Sequence, residues 1–168
     1  TVSDMLVQTQ NKGKVTVGEL ASSMGKIIPT ANASNVSLEQ LCAGYAIMTS
    51  KGIAAAETTT YMNSMLNELS KSGSTTDKLL RQKMGGSFAE LMASGKSLGE
   101  ILGGIQEEAS KSGLALSDMF SSSEAGKAAM SLLSNGVDGF NSSVQDMVNS
   151  VGATDSAFAK MEDTTEAK

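Results

Sequence analysis

The chain has 168 residues, 40% of them apolar but only 4% aromatic, with 18% charged residues and a formal net charge of −5. That length suits one domain with a core of its own. The acidic balance excludes the basic surface that sequence-independent nucleic-acid binding requires. There is no histidine, so the usual general base, the Ser-His and Cys-His nucleophile pairs and the common zinc ligand sets are all missing. The single cysteine, Cys42, rules out an internal disulfide. No apolar run approaches the roughly eighteen residues of a membrane span. With aromatics scarce, the core must come from Ala, Leu, Ile, Val and 11 Met, a flexible and tolerant filling.

In chain order, Val2, Met5, Leu6 and Val7 form a helix-like opening. The first residue is Thr, with no charged n-region or apolar h-region of a signal peptide, so the chain is expected to be an excised piece of a longer polypeptide. Residues 1–13 and 162–168 are expected to fray. Thr16 opens a helix with Val17, Leu20, Met24, Ile27 and Ile28 on its apolar face, and Pro29 is predicted to end it. Ala31-Asn32-Ala33-Ser34-Asn35 reads as a polar bridge. The next helix runs from Ser37 to about Thr49, with Leu38, Leu41, Cys42, Tyr45 and Met48 on one face and Gly52 after its end.

Residues 54–71 carry a longer stripe of Ala55, Tyr61, Met62, Met65, Leu66 and Leu69, closed by Gly73. Short helices are predicted at 76–84 and 88–92, either side of Gly85-Gly86. Ser97 opens another through Ile101, Leu102, Ile105 and Ala109, ending near Gly113. Residues 116–120 make a turn or two. Ser122 or Ser123 caps a helix at 124–133, Val137 to Val148 mark another, and 153–161 a last one. No period-two run of β-branched residues occurs, so the fold class is all-α: short glycine-punctuated helices packed as αα-hairpins in a single helical region, 1–168.

Three segments share one opening signal: Thr16-Val17-Gly18-Glu19, Ser37-Leu38-Glu39-Gln40 and Ser97-Leu98-Gly99-Glu100. In each, a hydroxyl can accept from the third helical N–H while the Glu or Gln reaches back to the cap. The second and third align as a duplicated unit of about sixty residues, or as two independent capping boxes. Similarity fades within about ten residues, which favours independent boxes.

Two motifs suggest chemistry. Ser94-Gly95-Lys96-Ser97 ends like a phosphate-binding loop, but Glu90 stands where that loop needs its first Gly, and the preceding residues read as helix. A C-terminal Gly followed by a Ser cap accounts for it. Ser23-Met24-Gly25-Lys26 has the Ser-x-x-Lys spacing of penicillin-binding enzymes without their companion elements. The adjacent carboxylates Glu107-Glu108 and Glu162-Asp163 diverge on a helix and read as solvated charge. Cys42, among Leu38, Leu41 and Tyr45, reads as a buried small hydrophobe. No catalytic, cofactor-binding or metal-binding residue is assigned, and the chain does not read as an enzyme.

The order of the pieces resembles the core region of phage tail tape measure proteins, the TP901-type minor tail protein family. The resemblance is carried by Thr16-Val17-Gly18-Glu19-Leu20, Ser37-Leu38-Glu39-Gln40-Leu41, Lys51-Gly52-Ile53 with Ala54-Ala55-Ala56-Glu57-Thr58, and Met65-Leu66-Asn67-Glu68-Leu69. It continues through Lys96-Ser97-Leu98-Gly99-Glu100-Ile101-Leu102, Leu116-Ser117-Asp118-Met119-Phe120 with Glu124-Ala125, and the end from Gly152 to Met161. Ser121 stands where the family usually has Gly, so the turn there must be made differently.

The resemblance implies a structural, helical chain around which the tail tube assembles and which helps to set tail length. It implies tail tube protein, tail assembly chaperones and tail-tip proteins as partners, with self-association, and a place inside the virion tail after assembly in the host cytoplasm. No cofactor, specific nucleic acid or membrane span is expected. The competing readings are a helical protein-binding adaptor, a secreted bacterial effector module, and a membrane-active helical bundle.

Overall fold

A computed structural model describes residues 2–151. These residues form ten α-helices and one 3-10 helix, with no strand among them. In order they are α1 (Val2–Lys12), α2 (Val17–Met24), α3 (Ile28–Ala33), α4 (Leu38–Ser50), α5 (Ala55–Ser70) and α6 (Thr75–Lys83). There follow α7 (Phe88–Ala93), α8 (Leu98–Lys111), the 3-10 helix Leu116–Met119, α9 (Ser123–Leu132) and α10 (Gly136–Ser150). The helix expected at 153–161 and the tail from 162 lie outside the described residues.

Helix starts are set by hydroxyl caps. Thr16, Ser37, Ser74, Ser87, Ser97 and Ser122 each accept a hydrogen bond from the N–H three residues on. The reciprocal half of the capping box forms elsewhere than expected. Among the serine- and threonine-led starts, only Ser87 and Glu90 complete both bonds, a pair the sequence reading passed over. Glu19 instead accepts from the Thr16 hydroxyl at 3.1 Å. Gln40 turns away from its own helix and accepts the N–H of Leu98 at 2.6 Å.

Helix ends follow the same economy of local chemistry. Gly52 follows α4 at φ 93, where the left-handed conformation lets the Ile53 N–H return to the Met48 carbonyl at 3.2 Å. Pro29 does not end a helix, as the sequence suggested; it sits in the first turn of α3. Its missing N–H is costless there and its fixed φ is already helical. The expected bridge 31–35 is therefore mostly helix, and the break falls one turn earlier, at Gly25 to Ile27.

The core is organised on α4. Leu41, Cys42, Ala43, Gly44, Tyr45, Ala46, Met48 and Thr49 are all buried, so this helix is covered on nearly every side. Its cover comes from α1, α5, α9 and α10, while α5 also packs along α9 and α10 along α8. Within the segment 1–13, expected to fray, Val2–Lys12 form the helix α1, packed on α4, with Asp4, Met5 and Thr9 buried. Its apolar spacing was visible in the sequence; the partner surface was not. Lys12 pairs with Asp146, and the Thr9 hydroxyl reaches both the Met5 carbonyl and the Met147 sulfur. Val148, read as a core position, is exposed.

The turn where Ser121 replaces the usual glycine is held from outside. The Glu68 carboxylate accepts from the Ser121 N–H at 2.7 Å, the Ser121 hydroxyl at 2.9 Å and the Ser122 N–H at 3.4 Å. One acidic side chain on α5 thus substitutes for glycine's backbone freedom by fixing an ordinary turn against α9.

Candidate functional site

The structure places the residues singled out from the sequence at helix ends and in local pairs. Gly95 lies at φ 103 just beyond α7, and Ser97 caps α8, so the Gly-Lys-Ser run joins two helices. Ser23 and Gly25 bound the end of α2, and the Ser23 carbonyl accepts from Thr59 at 3.2 Å. Glu108 lies 3.0 Å from Lys111 and 4.0 Å from Lys83. Glu162 and Asp163 lie outside the described residues. Among the described residues no group of acidic or cysteine side chains is arranged to hold a metal ion, and no helix is long and apolar enough to cross a membrane.

Cys42 is fully buried. Burial pushes its thiol up to about 11, against an opposing hydrogen bond with Thr9 and with a smaller push from the Glu39 charge. At pH 8 only about a thousandth of such a group is thiolate, the reactive form. A thiol-directed reagent should label the folded chain at least about a hundredfold more slowly than the urea-unfolded chain; equal rates would place Cys42 at the surface. Neighbouring Tyr45 is pushed up to about 12 by burial, opposed by its hydrogen bond with Thr59.

The Asp77 carboxylate accepts from two groups, the Gly73 N–H just before α6 and Arg81 in the last turn of that helix. The Gly73 N–H, at 2.9 Å, is the main cause that keeps its carboxyl below the usual range, against the opposing effect of burial and with help from Arg81. A depressed native value means the stabilisation is fully present above the unfolded pKa, about 4, and is lost as pH falls through the native value. Stability measured from pH 6 downward should therefore drop below about pH 4, and Asp77→Asn should flatten part of that slope. An unchanged slope would remove Asp77 from the account.

An open groove of about 750 Å3 lies between α5, the 3-10 helix and α9. Ile53, Phe120 and Met130 supply its apolar lining, with Glu57, Tyr61 and Lys127 at the rim. Tyr61 donates to Glu57 at 3.4 Å, and the Lys127 ammonium lies 5.6 Å from the Tyr61 ring centre. Several serines line it too, and among them the Ser121 hydroxyl donates to the Glu68 carboxylate at 2.9 Å, the contact that holds the turn.

Comparison with known proteins places this helical architecture. Residues 1–121 match the family described as phage-related minor tail protein. The chain belongs to that family. It is also 40% identical, over 173 aligned residues and 99% of its own length, to a probable tape measure protein of Clostridium phage phiCD119. The chain spans 18% of that relative. No solved structure gives a significant match. The family match ends at Ser121, the residue held by Glu68, whereas α9 and α10 beyond it still pack on the same core.

Proposed function

We propose that this chain is a structural segment of a phage tail tape measure protein, part of the scaffold around which the tail tube is built and by which tail length is set. The observation that carries this reading is the 40% identity to a probable tape measure protein, running along 99% of the chain. The helical architecture supports it: the side chains that looked reactive act as caps, ion pairs or core. On this reading residues 1–168 are one helical region of a longer polypeptide without catalytic or cofactor-binding residues. Tail tube protein, assembly chaperones and tail-tip proteins are its partners. It resides inside the virion tail after assembly in the host cytoplasm.

A straight helix of this length would reach roughly 250 Å at 1.5 Å per residue. The described helices instead pack side by side around α4, and on this reading uninterrupted helix elsewhere in such a polypeptide carries most of the measuring, with this region as a compact anchor. In-frame deletion of the segment from a phage that encodes it tests the reading. Shortened tails or failed tail assembly in electron micrographs are expected. Tails of normal length with normal infectivity would overturn it.

A further inference from the structure

The chain contains one supersecondary unit twice, and the two copies show which surface is left uncovered. Each unit has a short helix, a left-handed turn, a serine-capped long helix and a second left-handed turn. In the first, Asn35 takes φ 62, the Val36 N–H returns to Ala31 at 2.9 Å, and Ser37 caps α4. In the second, Gly95 takes φ 103, the Lys96 N–H returns to Leu91 at 3.3 Å, and Ser97 caps α8. The ends repeat as well. Ile53 N–H bonds Met48 at 3.2 Å before Ala54 leads into α5, and Leu114 N–H bonds Ala109 at 2.9 Å before Ala115 leads into the 3-10 helix. The offset stays at about sixty residues throughout, so independent capping boxes do not account for it.

The units dock in one direction. Asn35 of the first donates to the Ala89 carbonyl of the second at 3.0 Å, and Gln40 of the first accepts the Leu98 N–H of the second at 2.6 Å. On the second unit, Phe88, Met92, Leu98 and Ile101 are buried, with α7 packed on α5 and α8 on α10. The matching positions of the first unit are Ile28, Asn32, Leu38 and Leu41. They line an open groove of about 200 Å3, with Ile28 39% exposed. No side chain among the described residues accepts from the Leu38 N–H. The opposite face is open too: Ser94, Gly95 and Glu100, the counterparts of Ser34, Asn35 and Gln40, are exposed. Glu100 makes no side-chain ion pair among the described residues, and its charge suits the N-terminus of another helix.

We infer that a second copy of this chain docks head to tail, its Gly95–Glu100 face meeting the Ile28–Leu38 groove in the register by which Asn35 and Gln40 of the first unit meet the Ala89 carbonyl and Leu98 N–H of the second within one chain. Such a contact is heterologous and open-ended. It does not depend on the tail reading.

Sedimentation equilibrium of the full 168-residue chain tests this. The wild-type mass should rise with concentration beyond that of a dimer. Ile28→Glu and Glu100→Lys, both at exposed positions, should each stay monomeric with an unchanged helical signal, and their equimolar mixture should stop at the dimer. A wild type that remains monomeric at about 1 mM, single variants that associate like wild type, or a mixture that remains monomeric would each overturn the proposal. If Ile28→Glu fails to fold, Asn32→Arg in the same groove takes its place with the same expected pattern.

Discussion

Replacing Phe140 by alanine is expected to cost about 3–5 kcal/mol of stability, the usual range for deleting a fully buried ring. The ring is fully buried on α10. It lies against Gly99, where an added Cβ would come within 2.8 Å of its Cδ1 atom. Val137, a turn earlier, sits as closely over Gly103, where an added Cβ would lie 2.5 Å from its Cγ2. The two glycines let α8 and α10 approach until side chain meets backbone, and little slack remains to collapse into the cavity the substitution would leave. Urea unfolding should show the midpoint falling sharply with its slope preserved. A loss below about 1 kcal/mol would mean that the α8–α10 contact is not part of the core.

Gly13→Val should be nearly as damaging, at about 3 kcal/mol, for the opposite reason. A Cβ at this position would lie 2.3 Å from the Thr49 hydroxyl and 3.2 Å from both the Cα and the carbonyl oxygen of Ala46. A hydroxyl can rotate, but helix backbone cannot yield by that much. The turn after α1 would have to lift away from α4, taking with it the Lys14 N–H bond to Thr49 at 3.2 Å. Gly25 is the control: a Cβ added there would meet nothing within 4 Å and its φ is −55, so Gly25→Ala should be neutral or slightly stabilising. Equal effects at the two positions in thermal melts would show that α1 is not seated on α4.

What the sequence disclosed and what it withheld divide along a physical line. Ser37, Ser97, Gly52 and Gly113 act on their own neighbours, and each marks a boundary where expected. Pro29 acts locally as well but is ambiguous, since proline both follows helix ends and begins helices. Gln40 and Glu68 act across 58 and 53 residues, so no local pattern could assign Gln40 to the start of α8 or Glu68 to the turn at Ser121. Asn35 in a left-handed turn looked like ordinary loop because asparagine serves both uses.

The duplicated unit was half visible. Its caps and turn residues persist, while the residues each unit buries diverge with their surroundings: Val36 against Lys96, Cys42 against Leu102. The grooves were invisible because they join residues brought together only by packing, as Ile53 and Met130 are.

Small-angle X-ray scattering of the dilute chain puts the picture of short helices packed around α4 to the sharpest trial. A folded unit of this length should give a radius of gyration of roughly 15–18 Å and a bell-shaped Kratky profile. A radius of roughly 30 Å or more, or a maximum dimension beyond about twice that of a globule, would mean the helices are strung out along the chain, not gathered on one core.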